Sequence, residues 1–156
     1  MYVINKTCCF TGHRDIPQNE VDYLYRRLYE EIEKLIKLGV VNYGSGGARG
    51  FDLLAANVVL ELKNKYPEIR LIMVLPCSRQ TQNWNYQDKS DYDRIIKAAD
   101  KIRILSNNYY EGCMLTRTRH LVDNSLYVIC YKRKHKGGTA YTVDYARRKH
   151  RVIIEI

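Results

Sequence analysis

Three stretches of glycine with arginine, histidine or threonine carry the residue types best suited to chemistry. Residues 40–52 read VVNYGSGGARGFD: a β-branched run ends at Tyr43, Gly44, Gly46, Gly47 and Gly50 follow, and Phe51, Leu54, Ala55, Val58 and Leu62 continue at helical spacing. Strand, glycine-rich turn and helix in that order offer an anion unpaired N–H groups and the positive end of a helix dipole. The dinucleotide pattern G-x-G-x-x-G is met only at Gly44 and Gly46. Arg49 stands at the third glycine and no acid ends the next strand, which argues against a dehydrogenase. A glycine-rich connection without a ligand is the alternative. Thr11-Gly12-His13-Arg14 follows another short apolar run, and Gly137-Gly138-Thr139 follows a basic loop.

Arg14, Arg49 and Arg117 lie at or near turns after strands, where a guanidinium can pair bidentately with phosphate. Thr11, Gly12, Gly46, Gly47, Gly138 and Thr139 can add backbone or hydroxyl donors. His13 reads either as a general acid or base or as a turn residue bonded to its own backbone. Asp52 and Asp123 suit ribose hydroxyls, although an acid early in a helix, as Asp52 is, is equally favoured by the dipole. Trp84, the only tryptophan, either stacks on a base or covers the edge of a core. The spacing defines no Ser/His/Asp or Cys/His arrangement and no metal cluster, so neither a metal nor a cofactor is expected. Cys8 and Cys9 would face opposite sides of a strand, and the odd total of five cysteines reads as reduced thiols.

The elements that must position these residues alternate along the chain. Strands are expected at residues 6–10, 40–43, 69–75, 101–105, 126–131 and 151–156. Helices are expected from Pro17 to Gly39, from Phe51 to Pro67, from Ser90 as cap, over 114–124, and from Gly137 to about Lys149. Residues 77–90 lack an apolar stripe and read as a long loop. Short apolar strands separated by helices predict one α/β domain over residues 1–156, a three-layer sandwich with a mostly parallel sheet of about six strands and helices on both faces. Each glycine motif follows a strand, so all can converge at the carboxyl ends of the sheet. No apolar run reaches membrane-span length and the N-terminal stretch lacks a leader pattern, which points to the cytoplasm. Eight of the basic residues behind the net charge of +9 fall in 132–151 against one acid, Asp144. Such a cluster suits a phosphorylated ligand, a polynucleotide or a solvated face.

Five segments, CCFTGHR, GGARGFDLLAA, LPC, RTRHLVDNS and GGT, occur in an order that resembles the YpsA-like family of bacterial proteins within the SLOG superfamily, over nearly the whole chain. The resemblance implies a Rossmann-like fold and nucleotides or nucleotide-derived ligands. The superfamily also includes the LOG phosphoribohydrolases and the DNA-processing protein DprA. Met114 and Arg117 match the M-x-x-R segment of LOG-type enzymes, and Gly137 and Gly138 match their P-G-G-x-G-T-x-x-E motif. Lys136 replaces the proline there, Ala140 and Tyr141 replace the later Gly and Thr, and Asp144 stands where the catalytic glutamate is expected. If the protein is a hydrolase, Arg117 and Asp144 are its catalytic pair. The expected function is binding or sensing of a nucleotide or its derivative, with LOG-like hydrolysis of nucleoside monophosphates or DprA-like binding of single-stranded DNA as alternatives. Weak nucleic-acid binding and a homodimer are compatible with that reading; a membrane partner is not.

Overall fold

Six strands and five α-helices alternate through the computed structural model, which describes residues 3–156; the first two, part of the stretch read for a leader, lie outside the described residues. The strands are β1 (Thr7–Gly12), β2 (Asn42–Ser45), β3 (Arg70–Leu75), β4 (Lys101–Ile104), β5 (Tyr127–Tyr131) and β6 (Val152–Glu155). Between them run α1 (Val21–Lys37), α2 (Phe51–Lys65), α3 (Tyr86–Ala98), α4 (Cys113–Asp123) and α5 (Gly138–Arg148). Every pairing is parallel, in the order β4-β3-β2-β1-β5-β6. The sheet is therefore the expected α/β one, parallel throughout rather than mostly so.

Alternation along buried strands feeds two cores. Cys8, Phe10, Leu71, Met73 and Leu75 pack with α1, α2 and α3, whereas Cys9, Ile72 and Val74 pack with Leu121 and Val122 of α4 and Ala146 of α5. All five cysteines are free and buried, with Cys8 and Cys9 on opposite faces as expected. The chain steps outward from β1 to β4 and then returns to lay β5 on the other side of β1. Right-handed crossovers therefore change face at that point, and the strand order reverses between β1 and β5.

Several boundaries differ from the sequence reading: β1 and β2 each end two residues later than expected, at Gly12 and Ser45, so Thr11, Gly12 and Gly44 belong to strands. A 3₁₀ turn over Gln18–Glu20 follows Pro17, so α1 begins only at Val21. Helix α3 starts at Tyr86 inside the stretch read as a loop, and Asn85 rather than Ser90 caps it by accepting the Asp88 N–H at 2.8 Å. That first turn carries no apolar stripe because Tyr86 and its polar neighbours face solvent.

The end of β1 is fastened to the start of α2. Phe51 N–H donates to the His13 carbonyl at 3.1 Å, and a Cβ on Gly12 would come within 2.4 Å of the Phe51 ring. Gly50 has φ +82°, and a Cβ there would lie 2.2 Å from the Arg14 carbonyl oxygen. Gly39 also has a positive φ, +95°, but a Cβ would meet nothing within 4 Å. Gly39→Ala should therefore cost about 1–2 kcal/mol for the left-handed backbone alone. Gly50→Ala should cost at least about 3 kcal/mol, because the Arg14 backbone must also move. Urea denaturation of both variants checks this, and equal losses would show that the approach at Gly50 is not the tight joint described.

Candidate functional site

A cleft of about 510 Å³ opens at the carboxyl ends of β1 and β5, where the strand order reverses. One wall is the end of β1 and the turn after it, contributing Thr11, Gly12, His13 and Arg14. The facing wall is the loop from β5 into α5, contributing Lys134, Lys136, Gly137, Gly138 and Thr139. Helix α4 closes the side with Met114, Leu115, Arg117, Thr118 and Leu121, and Ala48 of the β2–α2 turn and Asp52 of the first turn of α2 reach it. Four cationic side chains, one buried carboxylate and an apolar helix face therefore meet in one concavity.

Arg117 is 7% exposed, and its Nη1 donates to the Gly46 carbonyl at 2.5 Å. Desolvation pulls its pKa down, Asp52 opposes that shift and the nearby Arg14 adds to it, yet a guanidinium remains charged in any protein setting. Asp52 is buried too. Desolvation pushes its pKa above the ordinary aspartate range, while Arg117, the Ala48 N–H and Arg14 pull the other way. Its Oδ2 accepts that Ala48 N–H at 3.3 Å, and its own carbonyl accepts from Ser45 Oγ at 3.0 Å. Asp52 thus holds the β2–α2 turn and faces Arg117 in the same site.

His13 joins the two walls. Its Nε2 accepts the Arg133 N–H at 2.8 Å, and its ring sits edge-on to Tyr131 at 5.4 Å. The bond runs to a residue 120 positions away, not to its own turn as one sequence reading had it. Desolvation, then Lys134 and Arg133, lower the His13 pKa, so the neutral ring with Nε2 as acceptor is the form the fold holds.

The glycine turns divide into two kinds. In the β2–α2 turn, the space that the missing side chains leave is filled by protein: Leu121 lies against Gly44, the Arg117 guanidinium would be 2.5 Å from a Cβ on Gly46, and Gln80, Leu75 and Met73 crowd Gly47. Of these three glycines only Gly47 has a positive φ, and none lines the cleft. The turn into α5 is the opposite. Gly137, with φ +101°, and Gly138 would meet nothing within 4 Å, and no side chain caps the first turn of α5.

Several other expected site residues lie elsewhere. Arg49 pairs with Asp15 at 2.6 Å outside the cleft. Trp84 packs against Tyr92 at 5.4 Å and covers an edge of the larger core. Asp123 accepts from Tyr145 Oη at 2.7 Å, and Asp144 is exposed beside Arg147 at 3.8 Å; neither lines the cleft. Sequence reasoning did not assign Lys134 and Lys136 to the site, although they directly precede Gly137 inside the basic cluster and so were within reach of it. The wall built from Leu115, Thr118 and Leu121 had no signal beyond ordinary amphipathicity. Among the described residues no group of three or more His, Cys, Asp or Glu is placed to hold a metal, and no helix is long and apolar enough to cross a membrane.

Comparison with known proteins agrees with this architecture. A UPF0398 protein of Halalkalibacterium halodurans is 28% identical over 132 residues, covering 83% of this chain and 70% of that protein. A UPF0398 protein of Staphylococcus aureus is 31% identical over 114 residues, covering 69% of this chain and 61% of its own length. Among solved structures, the DNA processing protein DprA of Streptococcus pneumoniae superposes with a TM-score of 0.71 at 16% identity, over 97% of this chain and 50% of that one. The DNA processing protein A of Helicobacter pylori, described with a single-stranded DNA binding mode, gives 0.66 at 21%, over 97% and 65%. At such identities the two structures establish the shared fold alone. The family model for YpsA, described as the YspA SLOG family, matches residues 9–153, and with these relatives beside it the chain belongs to that family.

Proposed function

We propose that the cleft binds a nucleotide or a nucleotide-derived anion, with a phosphate held at the start of α5. The observation that carries this reading is the open, uncapped turn at Gly137 and Gly138, which faces Arg14 and Arg117 across a cleft of about 510 Å³. Free N–H groups at a helix start and convergent guanidinium and ammonium groups favour a compact anion. The volume falls within the usual range for small-molecule sites, roughly 300–1,000 Å³. The α4 wall of Met114, Leu115 and Leu121 offers the apolar contact that a base needs, and the Thr11 and Thr139 hydroxyls lie beside the proposed phosphate. Gly44, Gly46, Gly47 and Arg49 act in this reading through packing and ion pairing. Because Asp144 does not line the cleft, binding rather than N-glycosidic hydrolysis is the function the geometry supports best.

Isothermal titration with AMP, GMP, CMP and UMP should give heat for at least one of them, unchanged by EDTA and weakened by added NaCl. Gly138→Asp and Arg14→Ala should each lower that affinity by about tenfold or more while melting like the parent protein, in line with the worth of hydrogen bonds to charged groups, roughly 1.5–3 kcal/mol. Gly47→Asp, by contrast, should lower stability first, because its neighbours already fill the space. Silence from all four, and from their diphosphate and diphosphate-sugar forms, would remove this reading.

Desolvation of His13, with the charges of Lys134 and Arg133 beside it, makes stability depend on pH. The folded pKa of His13 lies below the ordinary value near 6.5, so the unfolded chain takes up the proton first as pH falls. The contribution is whole above about pH 6.5 and is lost as pH falls through the folded pKa. His13→Gln keeps an acceptor that does not titrate. Its melting temperature should fall less between pH 7 and pH 5 than that of the parent, with the remaining slope owed partly to His120, whose pKa burial also lowers. Identical pH profiles would show that His13 is not the titrating group.

A second reading, single-stranded nucleic acid, has one specific observation in its favour. Tyr141 and Tyr145 on α5 stack with centroids 6.3 Å apart, Arg119 lies over Tyr141 at 5.9 Å, and Lys149 lies over Tyr145 at 5.6 Å. Two stacked rings with a cation at each end are thus assembled from α4 and the length of α5. Such ladders suit a strand's bases and phosphates, and the Helicobacter pylori DprA of the same fold is described as binding single-stranded DNA. Fluorescence anisotropy with a labelled single-stranded oligonucleotide should show weak, steeply salt-dependent association, reduced in the Arg119→Ala, Lys149→Ala double variant and indifferent to a saturating mononucleotide. Displacement by the mononucleotide would instead put the strand in the cleft.

A further inference from the structure

A second, smaller cavity of about 240 Å³ adjoins the cleft and shares His13, Arg14 and Lys134 with it as a common wall. Beyond that wall its chemistry changes. Asp15 and Glu20 bring carboxylates, and Arg133 lies over the Tyr131 ring at 4.4 Å. Each carboxylate already has a guanidinium partner, Arg49 on Asp15 at 2.6 Å and Arg133 on Glu20 at 3.6 Å, so neither presents an uncompensated negative charge to a neighbouring anion. Arg49 also keeps the Asp15 carboxyl below its usual pKa, as a pure acceptor.

Carboxylate acceptors and guanidinium and ammonium donors in one small space form the polar lining that a polyhydroxylated ring requires, since each sugar hydroxyl needs a hydrogen-bond partner. The Tyr131 ring beneath them is buried against Arg133 and Phe51 and serves as the floor that holds Arg133 in place. The size sets a limit. Below the usual lower bound of roughly 300 Å³ for a drug-sized site, this cavity takes one ring rather than a second nucleoside. The shared cations stand between the two spaces, where a linking phosphate would lie. From these juxtapositions the geometry points to a two-part ligand, a nucleoside diphosphate sugar, whose nucleotide occupies the cleft and whose sugar occupies the side cavity bounded by Asp15, Glu20 and Arg133. This inference rests on the nucleotide reading of the cleft and names the substrate class of that site.

The test compares three ligands for each base: the nucleoside monophosphate, the nucleoside diphosphate and the nucleoside diphosphate glucose, by titration calorimetry. For the base that binds, the diphosphate glucose should bind at least tenfold more tightly than the diphosphate. Asp15→Asn and Glu20→Gln combined should abolish that gain and leave the affinity for the monophosphate within twofold of the parent. A diphosphate glucose that binds no better than the diphosphate overturns the inference while the nucleotide reading stands. A tenfold gain that survives in the double variant also overturns it, because the sugar would then lie elsewhere. Failure of all ligands, monophosphates included, would remove the nucleotide reading and this inference with it.

Discussion

A guanidinium buried beneath the cleft is the constraint around which the strand ends are arranged. Removing a lone cation from water costs several kcal/mol even after the protein relaxes, so the surrounding chain has to supply compensating dipoles and charge. For Arg117 they come from the Gly46 carbonyl on the β2–α2 turn and the Asp52 carboxyl group in the first turn of α2. A side chain at position 46 would occupy the space of the guanidinium, so the glycine there makes room for the arginine. Asp52 is fixed in turn by the Ala48 N–H. The consequence reaches α4: a helix that carries a buried cation at its centre is tied to the end of β2, and its apolar residues Met114, Leu115 and Leu121 thereby face the cleft.

This arrangement shows why the fold was legible in the sequence and the site only in part. Continuous apolar strands between amphipathic helices leave one packing solution, the parallel sheet with two covered faces, and the helical spacing from Leu24 to Ile36 needs no tertiary knowledge. The start of α3 escaped because its first turn is wholly polar and is set by the Asn85 cap. Of the residues picked out by the rule that motifs follow strands, Thr11, Gly12, His13, Arg14, Arg117, Gly137, Gly138 and Thr139 line one cleft. A glycine that admits a ligand and a glycine that admits another part of the protein look the same in sequence, and the β2–α2 turn is of the second kind. Asp123 and Trp84 lie outside the cleft for a related reason. Their partners, Tyr145 and Tyr92, are fixed by packing rather than by spacing alone.

The two walls of the cleft differ in how firmly they are held. The β1 turn is fastened three ways: by the Phe51 N–H on the His13 carbonyl, by the contact of Gly12 with Phe51, and by the approach of Gly50 to Arg14. The facing loop depends on the His13 Nε2 bond to the Arg133 N–H and on Arg133 itself, whose side chain lies over Tyr131 and donates to the Ile156 carbonyl. Past Arg133 the loop is exposed through Gly138. Local stability follows the density of such contacts, so Lys134 to Gly138 belongs to the part of the molecule that opens most easily.

That gradient has a bearing on how an anion would be received. A preformed cradle binds without ordering cost, whereas an exposed loop must give up backbone freedom, at about 1–2 kcal/mol per residue fixed, before its N–H groups and ammonium groups act together. In the proposed reading the buried Arg117 and the stapled end of β1 would supply the fixed half of the site, and Lys134, Lys136 and the uncapped start of α5 the half that settles around a ligand. Selectivity among anions then falls to the fixed half, because only groups already in place can penalise a ligand of the wrong shape. The adaptable half contributes mainly charge, which draws any phosphate toward the cleft. Residues that discriminate between ligands should accordingly be sought on β1 and α4, and residues that set overall affinity on the loop before α5.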